Sequence, residues 1–201
     1  MNNTHITLLL VLLSFTTLLS CTKEALPAEE VNITEEESIT LYLADVDETI
    51  TVKSLDEVKV IIAKRYDQNN KAVKNAIGKI NLFQKEMKYA STLDLTDPDV
   101  EKKYSQQIQQ KYSNHKVYNK STNGILWDGH ATGFLSVTTI PLNLKASKRN
   151  KASSWSPISP GTVVLCDKKW FKGSKFVLFS IIPGPTAVVH TPFDNKADSF
   201  F

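Results

Sequence analysis

The chain has 201 residues, 41% of them hydrophobic and 22% charged, with a formal net charge of +3 at neutral pH. That length allows one sizeable domain or two small ones, and the composition excludes both global disorder and a multi-span membrane protein. Cysteine occurs only twice, at Cys21 and Cys166.

The first element is an apolar run from Ile6 to Leu19. It is too short to span a bilayer as a helix and has the length of a signal h-region. The run ends in Leu18-Leu19-Ser20-Cys21, which resembles the lipobox of bacterial lipoproteins: an aliphatic residue three before the cysteine and a small one directly before it. The n-region, MNNTH, departs from the usual pattern in having no Lys or Arg. The resemblance implies that 1–20 is a cleaved signal peptide and that Cys21 carries the lipid, anchoring the protein in the outer membrane. With Cys21 so used, Cys166 has no partner for an intramolecular disulfide.

Residues 21–38 read as an acidic, flexible tether. Nine carboxylates fall between Lys23 and Glu48, against one Lys. Thr22-Lys23-Glu24 also resembles the short signal, a Lys followed by acidic residues, that sends some lipoproteins to the cell surface.

The segment 39–118 reads as a small α+β module, a hairpin followed by about three helices. Ile39, Leu41 and Leu43 alternate, as do Ile50 and Val52. Ser54-Leu55-Asp56-Glu57 is a capping box, and Leu55, Val58, Ile62 and Tyr66 follow at helical spacing. Val73, Ile77, Ile80 and Met87 mark a second helix. Asp97-Pro98 opens a third, with the stripe Val100, Tyr104, Ile108 and Tyr112. These stripes are core faces, and no chemistry is assigned to them.

From about Gly124 short apolar runs punctuated by Gly, Pro and Ser signal an all-β region, and an internal repeat spans roughly 124–157 and 162–201. In the second copy Phe171-Lys172-Gly173 precedes the strand SKFVLF, and Asp194-Asn195-Lys196-Ala197-Asp198-Ser199 follows about twenty residues on. In the first, Leu126 to Gly133 precedes Phe134 to Ile140, with Arg149-Asn150-Lys151-Ala152-Ser153-Ser154 at the matching distance. This pattern resembles a βγ-crystallin domain, which implies that 122–201 is a Greek-key sandwich. The family's glycine falls at Gly173, where the folded hairpin needs a positive φ. Cys166 stands where its first aromatic belongs, and Leu126 and Ala131 take the aromatic positions of the first copy, with Trp127 displaced by one residue.

The resemblance also implies calcium, held by the late loops through Asn150 and Ser153 in one copy and Asp194, Asn195 and Asp198 in the other. Calcium takes hard oxygen donors, which these residues supply. A backbone carbonyl from the opposite hairpin, near 128–130 or 167–169, completes each family site. Arg149 replaces an expected Asn or Asp, Asp198 replaces a Ser or Thr, and Lys168, Lys169, Lys172 and Lys175 crowd the second hairpin.

From residue 51 onward there are 23 Lys and Arg against 12 Asp and Glu. The excess is compatible with an anionic surface polymer or a protein partner. The aromatics are not interleaved with the basic residues as a nucleic-acid platform requires, so no nucleic acid is expected. Cys166, His190 and Asn195 occur in the order of a papain-like constellation, yet Cys166 stands where the crystallin resemblance implies a packed aromatic on a strand. No HExxH, P-loop or GxSxG motif occurs. The expectation is a non-enzymatic envelope lipoprotein with a calcium-binding, structural or adhesive domain. The alternative is a crystallin-fold protease inhibitor.

Overall fold

The computed structural model describes residues 37–113, 115, 124–128, 134–137, 141–183, 187–188 and 196–201. The signal segment, Cys21 and the tether up to residue 36 lie outside them, as do Asp194, Asn195 and His190. In chain order the elements are β1 (Ile39–Leu43), β2 (Glu48–Val52), α1 (Leu55–Arg65), α2 (Lys71–Ala90), α3 (Pro98–Ser113), β3 (Ile125–Trp127), β4 (Phe134–Val137), β5 (Leu142–Asn143), β6 (Ser154–Ser156), β7 (Gly161–Cys166), β8 (Lys175–Ser180), β9 (Ala187–Val188) and β10 (Ser199–Phe200). This is an α+β layout. Among the described residues no helix is long and apolar enough to cross a membrane.

Local chemistry accounts for the helix starts. Ser54 Oγ accepts from the Glu57 N–H at 3.2 Å, while Glu57 reaches back to the Lys53 N–H at 2.8 Å, so two otherwise orphaned donors are satisfied. Asn70 caps α2 by accepting from the Ala72 N–H. Asp97 accepts from the Asp99 and Val100 N–H groups ahead of α3, which opens on Pro98.

The strands form two sheets. One has the order β2-β1-β8-β7-β10-β5, and the other β4-β3-β6-β9. All pairings are antiparallel except β1 with β8, which run parallel from Ile39 beside Lys175 to Leu43 beside Phe179. Strands β7 (GTVVLC) and β8 (KFVLFS) are buried at every position, because the larger sheet is covered on both faces. Val164, Cys166, Val177 and Phe179 face the helices, packing with Val58, Ile62, Ile80 and Phe83. Val163, Leu165, Phe176 and Leu178 point the other way, toward Leu126 and Trp155 of the second sheet. The order is therefore helices, six-stranded sheet, four-stranded sheet.

Residues Glu36–Phe201 form one compact unit. The segments 39–118 and 122–201, expected as separate modules, share a sheet through β1 and β8 and share a core through the helices. The reason is visible in the apolar runs themselves: with both faces of β7 and β8 hydrophobic, a two-sheet sandwich alone would leave one face in water. The tether boundary moves as well. Glu37 accepts from the Gly173 N–H and pairs with Lys175, and the Ser38 N–H donates to Ser174 Oγ, so these two residues are docked beside β8.

Candidate functional site

The two late loops are built alike. Lys151 and Lys196 are exposed, Ala152 and Ala197 buried, Ser153 and Asp198 half-buried, Ser154 and Ser199 buried, and then Trp155 and Phe200 enter the core. Their backbone bonds match too: the Ser153 N–H donates to Trp127 O at 2.9 Å and the Asp198 N–H to Cys166 O at 2.8 Å. This equivalence fixes the alignment of the copies. Trp127 pairs with Ser154 as Cys166 pairs with Ser199, so Trp127 stands at the Cys166-equivalent position and Leu126 one residue earlier. The shift sits at Leu126/Trp127, where the β3–β4 register is irregular. Ala131 lies outside the described residues.

The loops touch each other. Asn150, at φ 53°, donates its N–H to Ala197 O at 3.0 Å, and Leu144 donates to Asp198 O at 2.8 Å. Arg149 folds back so that its Nε donates to Leu144 O at 3.0 Å. Of the predicted calcium donors, Asn150 is exposed, Ser153 is half-buried, and Asp198 has an enclosed Oδ1 that lacks a hydrogen-bond partner among the described residues. A carboxylate oxygen shut away from water in this way is costly unless something positive or a donor meets it. Among the described residues no three His, Cys, Asp or Glu side chains gather as a metal cluster.

The second hairpin, between β7 and β8, is a clamped turn. Trp170 (φ 54°, ψ 43°) and Phe171 (φ 66°) both adopt the left-handed region, which non-glycine residues rarely do. Gly173 follows at φ 73°, the positive φ expected of a folded hairpin there, and a Cβ would lie 1.7 Å from Asp167 Oδ1. Three contacts hold the turn. Ser199 Oγ donates to Lys168 O at 2.7 Å and accepts from the Phe171 N–H at 3.1 Å, while the Trp170 N–H donates to Asn143 Oδ1 at 2.7 Å. Trp170 Nε1 donates to Glu101 Oε1 at 2.9 Å and so ties the turn to α3.

Two buried ionisable groups on α2 escaped the sequence reading. Lys79 is 2% exposed and donates from Nζ to Thr162 O at 2.8 Å; burial pulls its ammonium down from 10.5 to about 7. Glu86, equally buried, accepts from Tyr112 OH at 2.8 Å and Tyr104 OH at 3.4 Å and pairs with Lys111. Burial pushes both tyrosines upward, with the Glu86 carboxylate adding to the effect. The signal was present in the spacing. Lys79 lies three residues after Ala76 and Glu86 three after Phe83, on the apolar face of α2.

Cys166 is fully buried, and burial pushes its thiol up to about 12. At neutral pH it is a protonated core side chain. The chain has no match among models of protein families, curated proteins or solved structures.

Proposed function

We propose that the chain is a non-enzymatic lipoprotein of the cell envelope, lipid-anchored at Cys21 in the outer membrane. In this reading residues 122–201 are a βγ-crystallin-like pair of Greek keys that binds calcium and serves a structural or adhesive role toward an anionic polymer or protein.

The observation that carries the reading is the strand order. Taking β3 to β6 as one copy and β7 to β10 as the other, each sheet places the second, first and fourth strands of one copy side by side and adds the third strand of the other copy. Fourth, first and second strands in spatial succession match three of the four places in the Greek-key order 4-1-2-3, which supports the reading. The reciprocal exchange of third strands, β5 and β9, is what locks two such motifs together. The loop equivalence and the Ser199 clamp support the same assignment. The β1–β2 hairpin on the free side of β8 and the helices over the larger sheet are additions to that plan.

The enclosed Oδ1 of Asp198 supports a cation at the loops, and the high-lying, buried thiol of Cys166 supports the non-enzymatic reading. Calorimetric titration of the chain from Thr22 onward with calcium tests the proposal. Heat of binding and a rise in melting temperature are expected, both weakened in Asp198→Asn. Neither signal at millimolar calcium would sink it.

A further inference from the structure

Beside the clamped turn lies an open cavity of about 350 Å³, lined by Lys168, Lys169 and Lys172 of the turn and by Thr96 and Glu101. Leu95 and Trp170 also line it. We propose that this cavity binds an anionic sugar unit, a phosphate or sulfate ester of a hexose within a surface glycan.

Three ammonium groups fall within five residues of a single turn. Glu101 lies 3.6 Å from Lys169 and partly offsets it. The side chains of Lys168 and Lys172 are exposed and make no hydrogen bond or ion pair among the described residues; Asp94, whose carboxyl is held low mainly by hydrogen bonds from Thr96, feels Lys172 only weakly. Local charge therefore favours an anion.

Preorganisation distinguishes this turn from ordinary surface lysine. Consecutive left-handed residues at Trp170 and Phe171 are unfavourable by themselves, on the order of 1 kcal/mol or more each, and persist where the surroundings over-determine them. Ser199, Asn143 and Glu101 do so here, by the bonds described above. The ammonium groups thus spring from a fixed backbone, so less ordering is required on binding.

The rest of the cavity suits the sugar. Its volume exceeds the space of a single oxyanion and lies at the small end of ligand pockets, roughly 300–1,000 Å³. Leu95 and Trp170 offer apolar surface to a C–H face, while the Thr96 hydroxyl and the Glu101 carboxylate accept from ring hydroxyls. The site draws on none of the calcium donors, so it stands or falls separately from the calcium reading.

The test is a titration of the chain from Thr22 onward with glucose 6-phosphate, glucose and inorganic phosphate, followed by amide chemical shifts. Glucose 6-phosphate should perturb residues 168–172 and bind more tightly than either fragment. Its affinity should fall at least tenfold in Lys168→Gln/Lys172→Gln. It should change less than twofold in Lys74→Gln/Lys85→Gln, an equal charge loss on α2. No perturbation of the turn, or equal weakening in the two variants, overturns the site. Inorganic phosphate binding as tightly as the sugar phosphate overturns the sugar assignment.

Discussion

Lys79 is the most consequential side chain that the fold buries. It projects from α2 onto β7, 2% exposed, and burial lowers its ammonium from 10.5 to about 7. In the unfolded chain it remains protonated up to its ordinary value, so between pH 7 and 10.5 the unfolded state binds the extra proton. Stability therefore rises with pH across that window, and the full penalty is present below pH 7. At about 1.36 kcal/mol for each pH unit between the two values, the penalty at pH 7 is about 4 kcal/mol. Lys79→Met removes it and forfeits the bond to Thr162 O, worth about 1 kcal/mol. The variant should be more stable at pH 7 by about 3 kcal/mol. Urea denaturation at pH 7 and pH 9 is the assay: the natural chain should gain about 2 kcal/mol relative to the variant between those values. The upper limit matters, because Cys166 begins to ionise in the unfolded chain near 9.0 while burial holds it protonated in the fold; above that pH its effect opposes that of Lys79 and the rise levels off. Parallel pH profiles for the two proteins, or a less stable variant, would refute the reasoning.

Gly173→Ala combines a positive φ with a Cβ 1.7 Å from Asp167 Oδ1, so a loss of about 2 kcal/mol or more is expected, read as a lowered urea midpoint. A fragment of residues 122–201 should fail to unfold cooperatively. Without α1 to α3 it exposes Val164, Phe171, Val177, Phe179 and Phe201, each worth about 1.5–3 kcal/mol when buried, a total comparable with the stability of a whole domain. A sharp urea transition and a native-like near-ultraviolet spectrum for the fragment would count against the shared core.

Much of the local structure was legible because short-range chemistry decides it. Ser54 and Glu57 announce α1, Asp97 and Pro98 announce α3, and the stripe Tyr104, Ile108, Tyr112 is buried as its spacing implies. The positive φ of Gly173 followed from its place in a folded hairpin. The division into modules was not legible in the same way. Alternation in β1 and β2 reports a hairpin but not its neighbour, and the parallel pairing of β1 with β8 joins residues more than 130 positions apart. One clue was available: GTVVLC and KFVLFS do not alternate, so each needed cover on both faces.

The candidate sites divide along the same line. Loop composition pointed to Asn150, Ser153 and Asp198, and their matched burial and backbone bonds bring the two loops into contact through Asn150 and Ala197. Composition said nothing of the cavity beside the second hairpin, because that cavity needs Thr96 and Glu101, more than sixty residues earlier in the chain, brought against Lys168 and Lys172. The Ser that ends the late loop is the hinge between the two readings. Ser199 Oγ donates to Lys168 O, engaging one of the hairpin carbonyls that the family pattern offers to a cation. It also steadies the turn from which the lysines project. A carbonyl engaged by a hydroxyl is a weaker cation ligand, and three ammonium groups at the same turn oppose a cation further. The proposed calcium site therefore rests chiefly on Asp198, and the proposed glycan site on the lysines of the second hairpin.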